Sequence, residues 1–309
     1  MNTAAYKSAS ALLLLQFSSA GCAHSWTQQN DRPTCLVLSA GGPAGLAHIG
    51  AIEAIQARHL PINCIAGTSM GALVGGLYVS APSEPLRQRY QRLVAAYREQ
   101  SEWDTGRNAM IGGIVGAAIA ALVTGGAAAV PLALGAGAGA AAGMKATAPV
   151  ALERFGAVLS QFHEGKQIEN LTIPFATFFQ KRQGNGLTLV TVRQGDLAQA
   201  ITRSIANPFI FPDFDPVQAG YVDPGADRMV GVPVQDACRL FPKARLLAVN
   251  VSGHPIVYSK EMTCPLLEVR VDVDPVNANA MTGDNGEFER VVAAGYQAVL
   301  RTLDSDQRR

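Results

Sequence analysis

The stretch Ile62-Asn63-Cys64-Ile65-Ala66-Gly67-Thr68-Ser69-Met70-Gly71-Ala72-Leu73-Val74-Gly75-Gly76-Leu77-Tyr78-Val79-Ser80 decides the fold. Asn63 to Ala66 is a short, β-leaning run, and Ala72 to Val79 continues with apolar residues at helical spacing. Between them Gly67-Thr68-Ser69-Met70-Gly71 leaves room for one sharp turn with a serine at its apex. Glycines two residues either side of Ser69 relieve crowding where the chain reverses, so the hydroxyl stands above the edge of a sheet. A helix beginning at the serine also directs its positive end toward the reacting centre. The pattern G-x-S-x-G recurs by chance, but on strand, turn and helix it marks Ser69 as a candidate nucleophile.

Working outward, Thr34-Cys35-Leu36-Val37-Leu38-Ser39 is a continuous apolar run of the kind a buried parallel strand requires. It enters Ala40-Gly41-Gly42-Pro43-Ala44-Gly45 and then the helical pattern Leu46 to Ile55. A glycine-rich turn between strand and helix presents backbone N–H groups to an anion, either a nucleotide phosphate or the oxyanion of an ester under attack. A dinucleotide fingerprint needs glycine where Ala40 stands, and an acidic residue about twenty positions on, where the serine turn lies instead. The oxyanion reading fits better, since acyl transfer needs such donors beside its nucleophile.

Gly41-Gly42 before Leu46-Ala47-His48-Ile49-Gly50, followed by Gly67-Thr68-Ser69-Met70-Gly71, resembles the patatin-like phospholipase family. The similarity covers most of the chain from Thr34 onward, apart from the stretch 108–144. Ser204-Ile205-Ala206-Asn207-Pro208-Phe209-Ile210-Phe211-Pro212 is similar to the family's segment upstream of its catalytic aspartate, and Val232-Pro233-Val234 completes the match. The resemblance implies a Ser-Asp dyad without histidine, with Asp223 in Tyr221-Val222-Asp223-Pro224-Gly225-Ala226 as the base for Ser69. It implies Gly41 and Gly42 as oxyanion donors and Gly45, Gly67, Gly71 and Gly225 as motif glycines. Departures from the family pattern are Ala40 for glycine, Ala44 where a basic residue is usual, Pro43, which cannot donate an N–H, and Pro224 for glycine. Spacing to Val232 leaves Asp227 as a second candidate base. His48 lies inside the first helix, where it packs or caps, and His254 is the histidine to test as a third member of a Ser…Asp…His triad.

Residues 1–22 read as an export signal: Lys7, the apolar run Ala9 to Phe17, then Ser19-Ala20-Gly21-Cys22. The ending resembles a bacterial lipobox with Cys22 as the lipidated residue, although Ser19 stands where an aliphatic residue is usual and an ordinary signal-peptidase site stays open. The expected destination is the periplasmic face of the outer membrane. Residues 23–33 are expected to form a linker, 34–304 one domain and 305–309 a tail.

The net charge of +1, without a basic cluster, argues against nucleic acid as a partner. Cys35, Cys64, Cys238 and Cys264 have no metal-ligand spacing, so no metal and no cofactor is expected. Whether Cys35 and Cys64, which open neighbouring strands, are bridged stays open at this point. Residues 108–144 carry no charge and are rich in glycine and alanine. Three readings stand: a membrane span, a mobile cap that touches lipid, or a packed helical hairpin.

The alternation of strands and helices predicts a three-layer α/β/α domain with a mainly parallel central sheet. The family resemblance implies a serine lipid acyl hydrolase of the phospholipase A or lysophospholipase kind, acting through an acyl-enzyme on membrane lipid. The alternative is a catalytically weak or inactive lipoprotein of the same fold with a binding role, motivated by Pro43, Ala44 and Pro224. No oligomeric state is assigned.

Overall fold

Every residue of β1 (Thr34–Leu38) is buried, because neighbours cover it on both edges and both faces. It pairs in parallel with β2 (Cys64–Gly67) and with β6 (Arg245–Asn250). β3 (Phe175–Gln183) extends the sheet beyond β2 and β7 (Leu266–Arg270) beyond β6, both in parallel. β4 (Gly186–Val192) closes one edge antiparallel to β3, giving the order β4-β3-β2-β1-β6-β7, and the two-residue β5 (Tyr221–Val222), reached through the short helix α6 (Pro216–Ala219), also pairs antiparallel with β3. The structure, a computed structural model, describes residues 25–28, 31–105, 151–184, 186–211, 213–227, 230–273, 276 and 278–308.

Side chains alternate across the strands and build two cores of unequal size. Leu36, Leu38, Ile65, Leu247 and Val249 face the larger core. It is filled by α1 (Ala47–Ala57), α2 (Met70–Ser80), α3 (Leu86–Thr105), α4 (Leu152–His163), α5 (Leu197–Ser204) and α8 (Gly286–Gln307). α3 buries Leu86, Tyr90, Leu93 and Tyr97, the stripe its spacing predicts. α1 and α8 cross in near backbone contact: a Cβ on Gly50 would lie 1.8 Å from Val292 O, and one on Gly295 1.9 Å from Ala47 O.

Cys35, Val37, Cys64, Ala66, Leu246 and Ala248 face the smaller core, which α7 (Val234–Leu240) covers together with the loop that leads to β7. Both disulfides, Cys35–Cys64 and Cys238–Cys264, lie on this thin side. The first joins register partners of β1 and β2, which answers the question the strand pattern left open. The second closes a separation of 26 residues, worth ~3.5 kcal/mol of unfolded-state entropy. The fold is thus α/β with a mainly parallel central sheet, its third layer reduced to one short helix and stapled loops.

Two elements run further than their sequence pattern. β3 continues past Phe179 into polar Gln180 to Gln183 because β4 pairs with that half. α8 continues past Leu303, and its Asp306 is buried. Asp306 accepts from Thr27 N at 2.7 Å and from Trp26 N at 3.3 Å. Arg245 at the start of β6 donates to Trp26 O at 2.8 Å and sits 4.2 Å over the Trp26 ring. Residues 25–28, expected to be linker, are therefore pinned to the domain, and part of the expected tail does the pinning. Cys22 and residues 108–144 lie outside the described residues. Among the described residues no helix is long and apolar enough to cross a membrane.

Candidate active site

β2 ends at Gly67 and α2 begins at Met70, so the chain reverses within Thr68 and Ser69. Ser69 takes φ 54° and ψ −121°, a left-handed conformation that costs a non-glycine residue ~1–3 kcal/mol and persists only where the surroundings enforce it. Those surroundings are specific. Thr68 N donates to Leu38 O at 3.1 Å and Thr68 Oγ1 to Val230 O at 2.9 Å. Ser69 N donates to Ser204 Oγ at 3.0 Å. Gly67 and Gly71 are needed for close approach: a Cβ on Gly67 would lie 2.5 Å from Gly71 O, and one on Gly71 2.4 Å from Leu38 O.

Ser69 Oγ donates to Asp223 Oδ2 at 2.6 Å, and both residues are buried. Asp223 follows β5 and caps the short turn Pro224–Ala226, accepting from Gly225 N at 2.7 Å through Oδ1. Pro224, a departure from the family pattern, occupies the first position of this turn, where no N–H is required. Burial pushes the Asp223 carboxyl up to about 6, while hydrogen bonds from Ser69, Gly225 and the Asn207 side chain pull it back toward the ionised form. A carboxylate in this range is ionised at neutral pH and basic enough to take a hydroxyl proton.

The glycine-rich turn packs beside the serine. A Cβ on Gly45 would lie 2.3 Å from Met70 Cγ, so the two motifs are in contact. Gly225 approaches Ala40, which joins the aspartate turn to the same cluster. Ala40 N donates to Gly231 O at 2.7 Å. Gly41 lies against Val251, whose Cγ2 would be 2.4 Å from an added Cβ, and Gly42 takes φ 51°. Pro43 is the second residue of the turn Gly42–Leu46, within its first turn, where its missing N–H leaves no bond unmade.

The other candidates lie elsewhere. Asp227 accepts from Gln180 Nε2 at 3.0 Å. His48 is buried with Nε2 2.9 Å from Ser39 O, and burial holds its ring at about 4, so it stays neutral. His254 is exposed on the loop after β6. A cavity of about 320 Å³, lined by Ser80, Lys166 and Asn170 among others, sits at the opposite end of α2 from Ser69. Among the described residues no group of three His, Cys, Asp or Glu side chains is placed to hold a metal ion. Sequence reasoning missed Ser204 and Asn207 as site residues, although both lie in the segment that carried the family likeness.

Fold and site together define an α/β domain with a buried serine–aspartate pair at the carboxyl edge of a parallel sheet, beside a glycine-rich turn. Residues 36–236 match the sequence profile of the patatin-like phospholipase family, and the chain belongs to that family. It is 43% identical over 49 residues to the patatin-like phospholipase domain-containing protein ZK370.4 of Caenorhabditis elegans, covering 16% of this chain and 4% of that protein. It is 56% identical over 43 residues to lysophospholipase NTE1 of Mycosarcoma maydis, covering 14% of this chain and 2% of that one. The chain thus aligns with only a small fraction of these relatives' length. Among solved structures, VipD of Legionella pneumophila is 12% identical with a TM-score of 0.36, covering 89% of this chain and 67% of that one. ExoU in its complex with SpcU from Pseudomonas aeruginosa is 16% identical with a TM-score of 0.37, covering 88% and 52%.

Proposed function

We propose that the protein hydrolyses acyl esters of lipids, with Ser69 as nucleophile and Asp223 as its base. The observation that carries this reading is the 2.6 Å hydrogen bond from Ser69 Oγ to the buried Asp223 carboxylate. Asp223 takes the proton as Oγ attacks the ester carbonyl, and the negative charge that develops on the carbonyl oxygen is met by N–H groups of the Gly41–Gly42 turn. The alcohol leaves with the proton returned by Asp223. Water, deprotonated by the same carboxylate, then releases the fatty acid from the serine. A lysophospholipase among the relatives and the family's own description support lipid as the substrate.

The same proposal places the protein outside the cytoplasm, anchored by lipid on Cys22 to the periplasmic face of the outer membrane. Two disulfides, which persist in oxidising compartments, support export.

The test uses the mature chain with Cys22→Ser, mixed phospholipid vesicles and a short chromogenic ester. Fatty-acid release is expected to vanish in Ser69→Ala and Asp223→Asn, and to survive in Asp227→Asn and His254→Ala. Loss of activity in His254→Ala with retention in Asp223→Asn would replace the dyad with a histidine mechanism. A parent protein silent on both substrates would favour the binding role instead.

A further inference from the structure

The hydrogen bond from Ser69 N to Ser204 Oγ takes no part in the proton transfers proposed above, yet it joins residues 135 positions apart. Ser204 is the last residue of α5 and has no exposed surface. Two of the three residues after it, Ala206 and Asn207, reach the other half of the pair. Ala206 O accepts from Asp223 N at 2.9 Å. Asn207 uses its Oδ1 to accept from Phe209 N at 2.9 Å, which turns its amide NH₂ toward the Asp223 carboxylate, where it favours the ionised form. One turn, residues 204–207, therefore holds the backbone of the serine at one end and the aspartate at the other.

This matters because the two partners come from separate elements. Ser69 is set by the turn between β2 and α2, and Asp223 by the turn after β5. Their separation is only as well defined as the links between those elements. The Ser69 N–H is buried, and without the Ser204 hydroxyl it loses the acceptor it has in this structure. The peptide between Thr68 and Ser69 would relax to find another, and because Ser69 sits in a strained conformation that relaxation swings Oγ. The hydroxyl also occupies the nucleophile's own N–H, which leaves the ester oxygen to donors outside Ser69.

We propose that Ser204 is a positioning residue for this reaction, holding the Ser69 backbone so that Oγ stays within hydrogen-bond reach of Asp223. The inference rests on Ser69 acting as the nucleophile. A hydroxyl that merely satisfied a buried N–H would change how well the protein folds and leave turnover per folded molecule alone.

The experiment compares the parent with Ser204→Ala, Ser204→Thr, Ser204→Val and Ser69→Ala on a short chromogenic ester. It reads kcat and KM, the melting temperature, and the rate at which a fluorophosphonate labels Ser69. Threonine and valine add the same volume, and only threonine restores the hydroxyl. Misplacing a reacting group by about an ångström costs on the order of 10²-fold. Ser204→Ala is therefore expected to lose about 10- to 100-fold in kcat with KM within about twofold, and to be labelled more slowly by a similar factor. Ser204→Thr should exceed Ser204→Val in kcat by about tenfold per folded molecule, measured well below the melting temperature of both. If Ser69→Ala is dead while Ser204→Ala keeps the parental kcat, or if threonine and valine are equivalent, the role of Ser204 is overturned and the dyad stands. If Ser69→Ala retains turnover, or the parent is neither active nor labelled at Ser69, the dyad reading falls and takes this one with it.

Discussion

Replacing Asp223 by asparagine should abolish the reaction and stabilise the fold. The carboxyl is pushed from 3.8 up to about 6 by burial, so the folded protein holds its ionised form at a disadvantage of roughly 3 kcal/mol at neutral pH. Asparagine keeps the shape, still accepts from Gly225 N through its oxygen, and offers its NH₂ to Ser69 Oγ, which then accepts. The pH dependence follows from the direction of the shift. Between 3.8 and about 6 the folded state binds more protons at this site than the unfolded state, so the parent loses stability as pH rises through that window. Below it the carboxyl is protonated in both states and the penalty disappears; above it the penalty is constant. Urea unfolding of parent and Asp223→Asn at pH 3.5, 5, 6.5 and 8 measures the difference directly, because every other titrating group is common to both. The expected advantage of the variant is small at pH 3.5, grows to ~3 kcal/mol by pH 6.5 and is flat beyond. A variant less stable than the parent at pH 8 would mean that hydrogen bonds more than offset burial, and the account of Asp223 as a strained base would be wrong.

Two further outcomes rest on the same geometry. The parental kcat/KM on a neutral ester should fall about tenfold per pH unit below about 6, as Asp223 takes up its proton, and a profile flat down to pH 4.5 would exclude Asp223 as the base. Gly295→Ala should destabilise the protein by ~3 kcal/mol or more in urea unfolding, because the added Cβ meets Ala47 O rather than a flexible side chain; a loss under about 1 kcal/mol would show that α1 and α8 separate easily.

What was legible in the sequence was local. The serine turn could be read because a strand, a helix and two flanking glycines lie within twenty residues of one another, and the apolar stripe of α3 because it repeats at helical spacing. The sheet's central strand announced itself as an unbroken apolar run. The choice between Asp223 and Asp227 was not local: they lie four positions apart, and Asp227 accepts from Gln180 on β3. Ser204 gave no sign of its partner, since a serine at the end of a helix is ordinary and the N–H it receives lies across the domain. The polar half of β3 looked like loop because its strand character comes from pairing with β4, not from burial. Pinning of Trp26 by Asp306 spans 280 residues and leaves no pattern in either segment.

That pinning also gives the domain a foot and a head. Trp26 is clasped by Arg245 and lies near Thr34, the first residues of β6 and β1, and these two are register partners at the amino edge of the sheet. Ser69 lies two residues past Gly67, the last residue of β2, which pairs with Leu38 at the far end of β1, ~13 Å along the strands. Trp26 and Ser69 therefore sit at opposite poles of the sheet. Force applied at Trp26 would load its clasp with Arg245 and Asp306 and leave the serine turn unstressed.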